Sequence, residues 1–415
     1  MAVISHATLA QVFKILQPNG FESSVLDVSP MLGLMPKFTG FYGESKQLDW
    51  LVDRGGGVSA SFAVAQAQAG VPAHRKPTLT RARLYAVRQI NNEDLEASEN
   101  NEGALVRLLS HAQETATDEL RSRAGSVLWG DGSGAVARLT ATANTATDTT
   151  AIRDLTQVVN LRVGGRYQFF DAVGNALRSA GAVATIESIN EDTGAITWTT
   201  NLTASVAAAA ASDYIVPEGD YQAVPQGIFG WNPMTVATTG DNWFGVDRYP
   251  YGNAMVGGRV TYTTGSIDEN LKKAIVTNVR QGGKADSLFL NPEDWGRLER
   301  QSTNWQRITK NAIGSNGKEI ASIGFSGLVL QGPNGPVNVY SDPFCPQYEF
   351  ELTKMSSWEL QSLKEAFRLI REGMNGQGSH PLATADGIEL RFGGYWQTAL
   401  KKPRDSFHGR LPGYS

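Results

Sequence analysis

The sequence predicts an α+β subunit with projecting limbs, and three observations carry that reading. A long amphipathic helix spans 101–128 and ends in Trp129-Gly130-Asp131-Gly132-Ser133-Gly134. Short strands separated by turn residues follow the helix, in and just beyond an Ala- and Thr-rich stretch over 135–212. Beyond 223, strands alternate with well-capped helices, as in a mixed body.

A chain of 415 residues leads one to expect two or three domains, and 41 % hydrophobic residues can fill real cores. A net charge of −4 argues against a chain that binds nucleic acid over its whole surface. Cys345 is the single cysteine, so no internal disulfide can form. His6, Gln11 and Lys14 break any secretory-signal pattern at the start, and no window approaches a membrane span. These totals predict a soluble cytoplasmic protein. No lysine lies between Lys76 and Lys272, so arginine, suited to planar interface ion pairs, carries the positive charge there.

Residues 1–44 read as an arm. Leu9, Val12, Phe13 and Leu16 share one face of a helix over 5–17 that Pro18 stops, and a Gly-, Pro- and Met-rich stretch follows. Residues 45–90 read as a long two-stranded excursion. Leu48, Trp50 and Val52 alternate with polar positions as in a strand, Gly55-Gly56-Gly57 interrupts, and Leu79, Arg81, Arg83, Tyr85 and Val87 share one face of a returning strand. Such an arm is marginal alone in water and needs a surface to rest on. Its basic residues include His74, Arg75, Lys76, Arg81, Arg83 and Arg88. They suit an intersubunit contact with the acids Glu93, Asp94, Glu96, Glu99 and Glu102 of a neighbour better than a nucleic-acid patch, which would want interleaved exposed aromatics.

The helix follows, within a segment 91–134 that forms part of the main body. Leu105, Leu108, Leu109, Ala112, Ala116, Leu120, Ala124, Val127 and Leu128 make its apolar face. At about 27 residues it is roughly 40 Å long, a spine rather than an ordinary domain helix. Residues 135–222 read as an inserted small all-β domain, a barrel or sandwich with its strands between Asp154 and Gly219. Strands are expected at 166–171, 183–190, 195–200 and 214–216, with a hairpin turn at Glu191-Asp192-Thr193-Gly194 and another turn at Gly174-Asn175. The body resumes at Pro225-Gln226-Gly227 and fills 223–415. Ser266-Ile267-Asp268-Glu269 predicts a capping box for a helix closed by Gly282-Gly283. Asn291-Pro292 starts the next helix, and strands are expected at 287–290, 337–340 and 348–352.

The sequence offers no catalytic, cofactor or metal set. The five histidines, His6, His74, His111, His380 and His408, form no ligand pattern and read as surface or interface residues. Cys345 lies between Phe344 and Pro346 and reads as a buried, inert thiol. Gly130-Asp131-Gly132-Ser133-Gly134 closes a helix instead of opening one, so it is a helix stop and not a phosphate loop. Asn201-Leu202-Thr203 matches a glycosylation triplet by chance.

The order of parts is more specific than any one of them. It runs arm, basic β-excursion, spine helix, Leu128-Trp129-Gly130-Asp131-Gly132, then Pro225-Gln226-Gly227-Ile228, the strand 287–290 with Asn291-Pro292, and Val339-Tyr340-Ser341-Asp342-Pro343. This order resembles the major capsid protein of tailed bacteriophages, the Hong Kong 97-type fold, over nearly the whole chain. The resemblance implies a non-enzymatic structural protein that self-assembles as pentamers and hexamers into an icosahedral shell enclosing double-stranded DNA, without sequence-specific binding. A shell that encloses DNA need not be basic.

By position, 45–88 matches the extended loop laid across a neighbour, 98–130 the spine of the peripheral domain, and the chain from about 226 the rest of that domain plus the axial domain. The family's glycine-aspartate-glycine and Pro-x-Gly elements usually lie close together, and their wide separation here marks the insert. The implied partners are a scaffolding protein, a portal and a decoration protein, with no membrane; the implied place is the virion, assembled in the bacterial cytoplasm. The early start of the family's parts leads one to expect a separate scaffold over a removable leader. Lys46 and Lys76 are the loop lysines that a covalent cross-link could use, and no cross-link is expected. Arg75, Lys76, Arg81, Arg83, Arg88 and Trp50 are the expected intersubunit contacts, and Gly55, Gly56 and Gly57 the expected hinge. The alternatives are a cellular nanocompartment shell of the same fold, and an adhesin whose active module is the β-insert.

Overall fold

The computed structural model describes residues 29–91, 116–117, 119–171, 175–301, 328–370, 379–381 and 386–414. The expected helix over 5–17, the first half of the spine helix and Gly174 of the expected turn lie outside the described residues. The chain forms two compact units, one of residues up to Lys46 with Thr78–Ile228 and Glu359–Ala399, the other of Gln47–Pro77, Phe229–Trp358 and Leu400–Ser415.

In the first unit the long strand Gly387–Leu400 organises a mixed sheet. Arg368–Leu369, Ser379–Pro381 and the return strand Ala82–Asn91 all pair antiparallel to it, and Lys37–Phe38 runs parallel to Leu360–Gln361 in the same sheet. The return strand alternates cleanly: Leu84, Ala86 and Ile90 are buried, while Arg83, Tyr85, Val87 and Gln89 face outward. The expected single face from Leu79 to Val87 does not hold. Leu79 is fully buried, and the ladder breaks at Arg81, because Thr78–Thr80 pairs with Ser45–Gln47 while Ala82–Asn91 pairs with the long strand.

The described part of the spine is helical at 116–117 and 119–128, with Ala116, Leu120, Ala124, Val127 and Leu128 all buried. Its glycine-rich stop has a mechanism. Gly132 and Gly134 take φ of +84° and +87°, and Asp131 Oδ1 accepts from the Ser133 amide at 2.9 Å. The segment from Pro225 returns to this stop: the Gln226 side chain lies over Gly132, and Gly227 packs on the carbonyl oxygens of Val127, Leu128 and Gly130. The Gln222 amide donates to Ser133 O at 3.1 Å, so the two ends of the intervening β-rich segment meet.

That segment is a six-stranded antiparallel sheet in the order 137–138, 214–217, 166–170, 184–190, 195–198 and 149–151. It closes into a barrel. Leu139 bridges Ile152, Thr140 N donates to Ala151 O, and Arg153 N to Arg138 O, joining the two edge strands. The interior holds Phe169 and Trp198 edge-to-face at 5.4 Å, with Ile186, Ile196, Leu202 and Ile215. The Trp198 indole donates to Thr150 Oγ1, and Arg178 forks onto the buried Asp213. The turn at 191–194 forms with Gly194 at φ +67°, and Asn190 Oδ1 accepts from the amides of Asp192 and Thr193. The two edge strands begin ahead of Asp154, outside the expected 154–219 span, since their Ala/Thr sequences carry no alternation. Asn201 of the chance glycosylation triplet caps the helical turn Leu202–Ser205 through Ala204 N.

The second unit carries a mixed sheet in the order 258–261, 407–410, 349–353, 287–290, 335–341 and 328–332. Helices Ile267–Arg280 and Pro292–Gln301 pack with it over Leu271, Ile275, Leu288, Leu298, Leu330, Phe350 and Phe407. Asn291 Oδ1 caps the second helix through Glu293 N at 2.9 Å. The expected capping box at Ser266 does not form. The Ser266 hydroxyl donates to Asp268, Gln301 takes the Ile267 amide, and Glu269 reaches forward to Lys273 at 2.7 Å. Nearby polar groups outcompeted the local motif.

A buried polar network crosses this sheet. Glu351 accepts from Asn232 Nδ2 and the Ser406 hydroxyl, and desolvation pushes its carboxyl up to about 8. His408 is buried, against the surface reading from sequence; it stacks on Phe229 at 4.2 Å and donates from Nδ1 to Asn232 O. Burial pulls its imidazole down to about 3. Glu349 and Arg410, paired at 2.8 Å, are the charged neighbours of the ring.

The signs follow from linkage. The raised Glu351 value means that the folded state holds an extra proton between about 4.5 and 8, so stability falls as pH rises through that window. The lowered His408 value makes stability fall as pH drops from about 6.5 to 3. The two slopes oppose one another between about 4.5 and 6.5, leaving an alkaline loss above and an acid loss below. Glu351→Gln is expected to remove the alkaline loss, gaining on the order of a few kcal/mol over the parent at pH 8 and little at pH 4.5. Thermal melts of the unassembled protein across pH 4–9 check this; parallel curves for the two proteins would refute it.

Candidate assembly surfaces

Three surfaces stand out, each built inside one unit. The first is a loop tip. Strands Trp50–Asp53 and Ala73–Arg75 pair antiparallel, and the chain between them forms the short helix Phe62–Ala67, none of whose residues is buried. Val58 is 93 % exposed, Phe62 82 % and Val71 88 %. So much apolar surface on a segment too short to hold a helix by itself marks a contact site.

The second is the root of that loop. Trp50 is buried, donates from its indole to Leu400 O at 3.0 Å, and meets Trp231 edge-to-face. Trp231 in turn contacts Trp243 and Phe244, and Arg248 covers Trp243 while forking onto Asp241. Gly55, Gly56 and Gly57 take φ of +93°, +84° and +84°, and a Cβ on Gly55 would lie 2.7 Å from Gly70 O. Only glycine adopts such a run without strain.

The third is a cleft of about 980 Å³ in the first unit, between the return strand, the helix 119–126, the barrel residues 159–167 and the segment 217–223. Arg81, Arg83, Arg88, Arg123, Arg162 and Arg166 line it, against Glu119 and Asp220, with Glu218 held by Arg166. Arg88 and Arg162 share the one carboxylate of Glu119, at 2.6 and 2.5 Å. Arg123 forks onto Asp220; burial lowers its pKa and Asp220 opposes that shift. Arg83 is exposed and makes no ion pair among the described residues. Tyr85, Val87 and Val159 add exposed apolar surface.

The expected contact residues are therefore dispersed. Arg83 and Arg88 share the cleft with Arg81, whose guanidinium also donates to Phe41 O and Gly43 O. Arg75 lies over the Tyr251 ring and Lys76 is exposed without an ion pair among the described residues, both in the other unit. Trp50 is interior. The acids at 93–102 lie outside the described residues. Sequence reading missed Arg162, Arg166 and Arg123, whose spacing signals nothing until the barrel closes. Cys345 is fully buried, its thiol pKa raised by desolvation and by nearby carboxylates, Asp342 the nearest in effect. Among the described residues no metal-ligand cluster occurs, and no helix is long and apolar enough to cross a membrane.

No protein-family model matches the sequence, and no curated protein matches it. Solved structures do. The cyanophage A-1(L) capsid asymmetric unit aligns over 93 % of this chain and 93 % of its own, with a TM-score of 0.52 at 12 % identity. This chain has a phage capsid fold. The capsid of a native GTA particle aligns over 92 % of this chain and 90 % of its own, with a TM-score of 0.46 at 9 % identity. A virus-like particle from Pyrococcus furiosus aligns over 94 % and 97 %, with a TM-score of 0.38 at 7 % identity. The mixed sheets and helices described above make it an α+β architecture, as expected.

Proposed function

We propose that this chain is the major capsid protein of a tailed phage, a non-enzymatic subunit that self-assembles through pentamers and hexamers into an icosahedral shell around double-stranded DNA. The observation that carries the reading is the exposed apolar loop tip on a capsid fold: Val58, Phe62 and Val71 are left almost wholly uncovered by the described residues. A neighbouring copy supplies it, so stability belongs in part to the shell. Residues 1–44 act as an arm, 45–90 as the extended loop and 91–134 as the spine with part of the peripheral domain. Residues 135–222 are an inserted domain, supported by the closed barrel and the meeting of its two ends at Ser133 and Gln222. Residues 223–415 complete the peripheral and axial domains. A scaffolding protein and a portal are the partners in assembly, a decoration protein joins the finished shell, and the product is the virion, built in the bacterial cytoplasm. Electron microscopy of the purified protein tests this: closed particles of uniform size are expected, with packaged DNA in particles from infected cells. A stable monomer at all concentrations would overturn it, and particles that never hold DNA would favour a nanocompartment.

Gly55, Gly56 and Gly57 serve as the hinge of the loop. Alanine at all three adds about 1 kcal/mol of strain per residue, more at Gly55 where the Gly70 carbonyl blocks the new methyl. The strain falls on the loop, whose strand pair and Trp50 anchor lie outside the triplet. Soluble subunit at near-normal yield but few closed particles is the expected outcome. Normal particles in micrographs of the triple variant would end the hinge assignment.

A further inference from the structure

We propose that the arginine-lined cleft is a docking site for the acidic segment 92–103 of a second copy of this chain, and that the barrel exists in part to complete that site. The inference rests on the capsid reading, which supplies the second copy. Three features support it. Among the described residues six arginines face three carboxylates there, a surplus of positive charge. The surplus is presented for use: Arg83 is exposed without an ion pair among the described residues. The segment from Asn92 to Gly103 carries Glu93, Asp94, Glu96, Glu99 and Glu102 with no basic residue, the densest acidic run in the sequence.

The cleft also offers apolar purchase. Tyr85 and Val87 stand on the outward face of the return strand and Val159 on the barrel, 48 %, 44 % and 64 % exposed. Leu95 is the one large apolar side chain of the acidic run and suits that surface. An extended polyanion such as DNA would want stacking platforms and freer cations; here most guanidiniums already hold a carboxylate, which favours a short mixed acidic and apolar peptide. Arg83 and Arg88 come from the return strand and Arg81 from just before it, while Arg123 comes from the helix and Arg162 and Arg166 from the barrel: the last two join only because the barrel presents them beside the helix. A capsid fold without this barrel would lack them.

The test uses full-length, unassembled protein and a fluorescein-labelled synthetic peptide of residues 92–103. Fluorescence anisotropy is expected to show saturable binding that weakens with salt. Arg83→Glu and Arg162→Glu, each made on an exposed side chain, should weaken it at least about tenfold, whereas Arg75→Glu, outside the cleft, should change it less than about twofold. A peptide with its five acids replaced by amides should not bind. No binding, or equal loss with Arg75→Glu, overturns the proposal, as does displacement by a duplex DNA of equal charge at lower concentration than the peptide itself. In the full chain, Glu96→Arg with Glu99→Arg should restore particle formation to Arg83→Glu with Arg162→Glu when all four are combined; failure to restore it counts against the pairing. Particles without peptide binding would sink this inference and leave the capsid reading standing. Peptide binding by a protein that never forms particles would do the reverse.

Discussion

Phe62→Asp is expected to leave the subunit folded and to abolish closed particles. Phe62 opens the loop-tip helix and is 82 % exposed, so the folded chain gains almost nothing from its ring. Burying such a side chain against a neighbour contributes about 1.5–3 kcal/mol, and an aspartate buried there instead would add an uncompensated charge. In the shell proposed above the penalty recurs at every copy. Even about 3 kcal/mol per contact lowers each association constant by roughly a hundredfold, and a closed shell multiplies that over all its contacts. The melting temperature of the unassembled subunit should be unchanged. Sedimentation velocity and electron microscopy read the result, and abundant normal particles from Phe62→Asp would show that the tip is not an assembly contact.

Gly227→Ala should prevent the first unit from folding. A methyl group at that position would lie 2.4 Å from the carbonyl oxygens of Gly130 and Val127 and 2.5 Å from that of Leu128. All three are backbone atoms of a helix end, so no flexible side chain can move aside. Overpacking in a core costs about 1–3 kcal/mol where side chains adjust, and more where backbone must shift. Against a total stability of about 5–15 kcal/mol that is severe. Gly219→Ala is the matched control: its φ is +86° but nothing lies within 4 Å, so only the backbone preference is lost, about 1 kcal/mol. Soluble expression and circular dichroism separate the two, and a well-folded Gly227→Ala protein would show that the joint between helix stop and returning chain is looser than its geometry implies.

Much of the architecture was legible because it rests on local periodicity. The buried face Ala116, Leu120, Ala124, Val127 and Leu128 was read from helical spacing alone, and the Asn291 cap and the Gly194 turn from single residue types with strong backbone preferences. The misreadings share a cause. At Leu79 the chain changes sheet partner at Arg81, and nothing within a few residues records which strand a residue will pair with. At Ser266 the box motif was present, yet Asp268 and Gln301 captured the groups that it would have used. The barrel's edge strands at 137–138 and 149–151 are too short to show any period.

The sequence by itself determined the order of the parts: limb, spine, helix stop, β-rich segment, and a body of capped helices and strands. Each follows from forces acting within a turn or two of chain. Only the tertiary structure decided that Gln226 and Gly227 close over Gly132 and the end of the spine, and that Trp50 anchors inward while Phe62 is left outside. Only it decided that Arg162 and Arg166 of the barrel stand with Arg83 and Arg88 around one cleft. Those outcomes depend on contacts between residues tens of positions apart, whose free energy is set by which surfaces meet and not by the residues' neighbours along the chain.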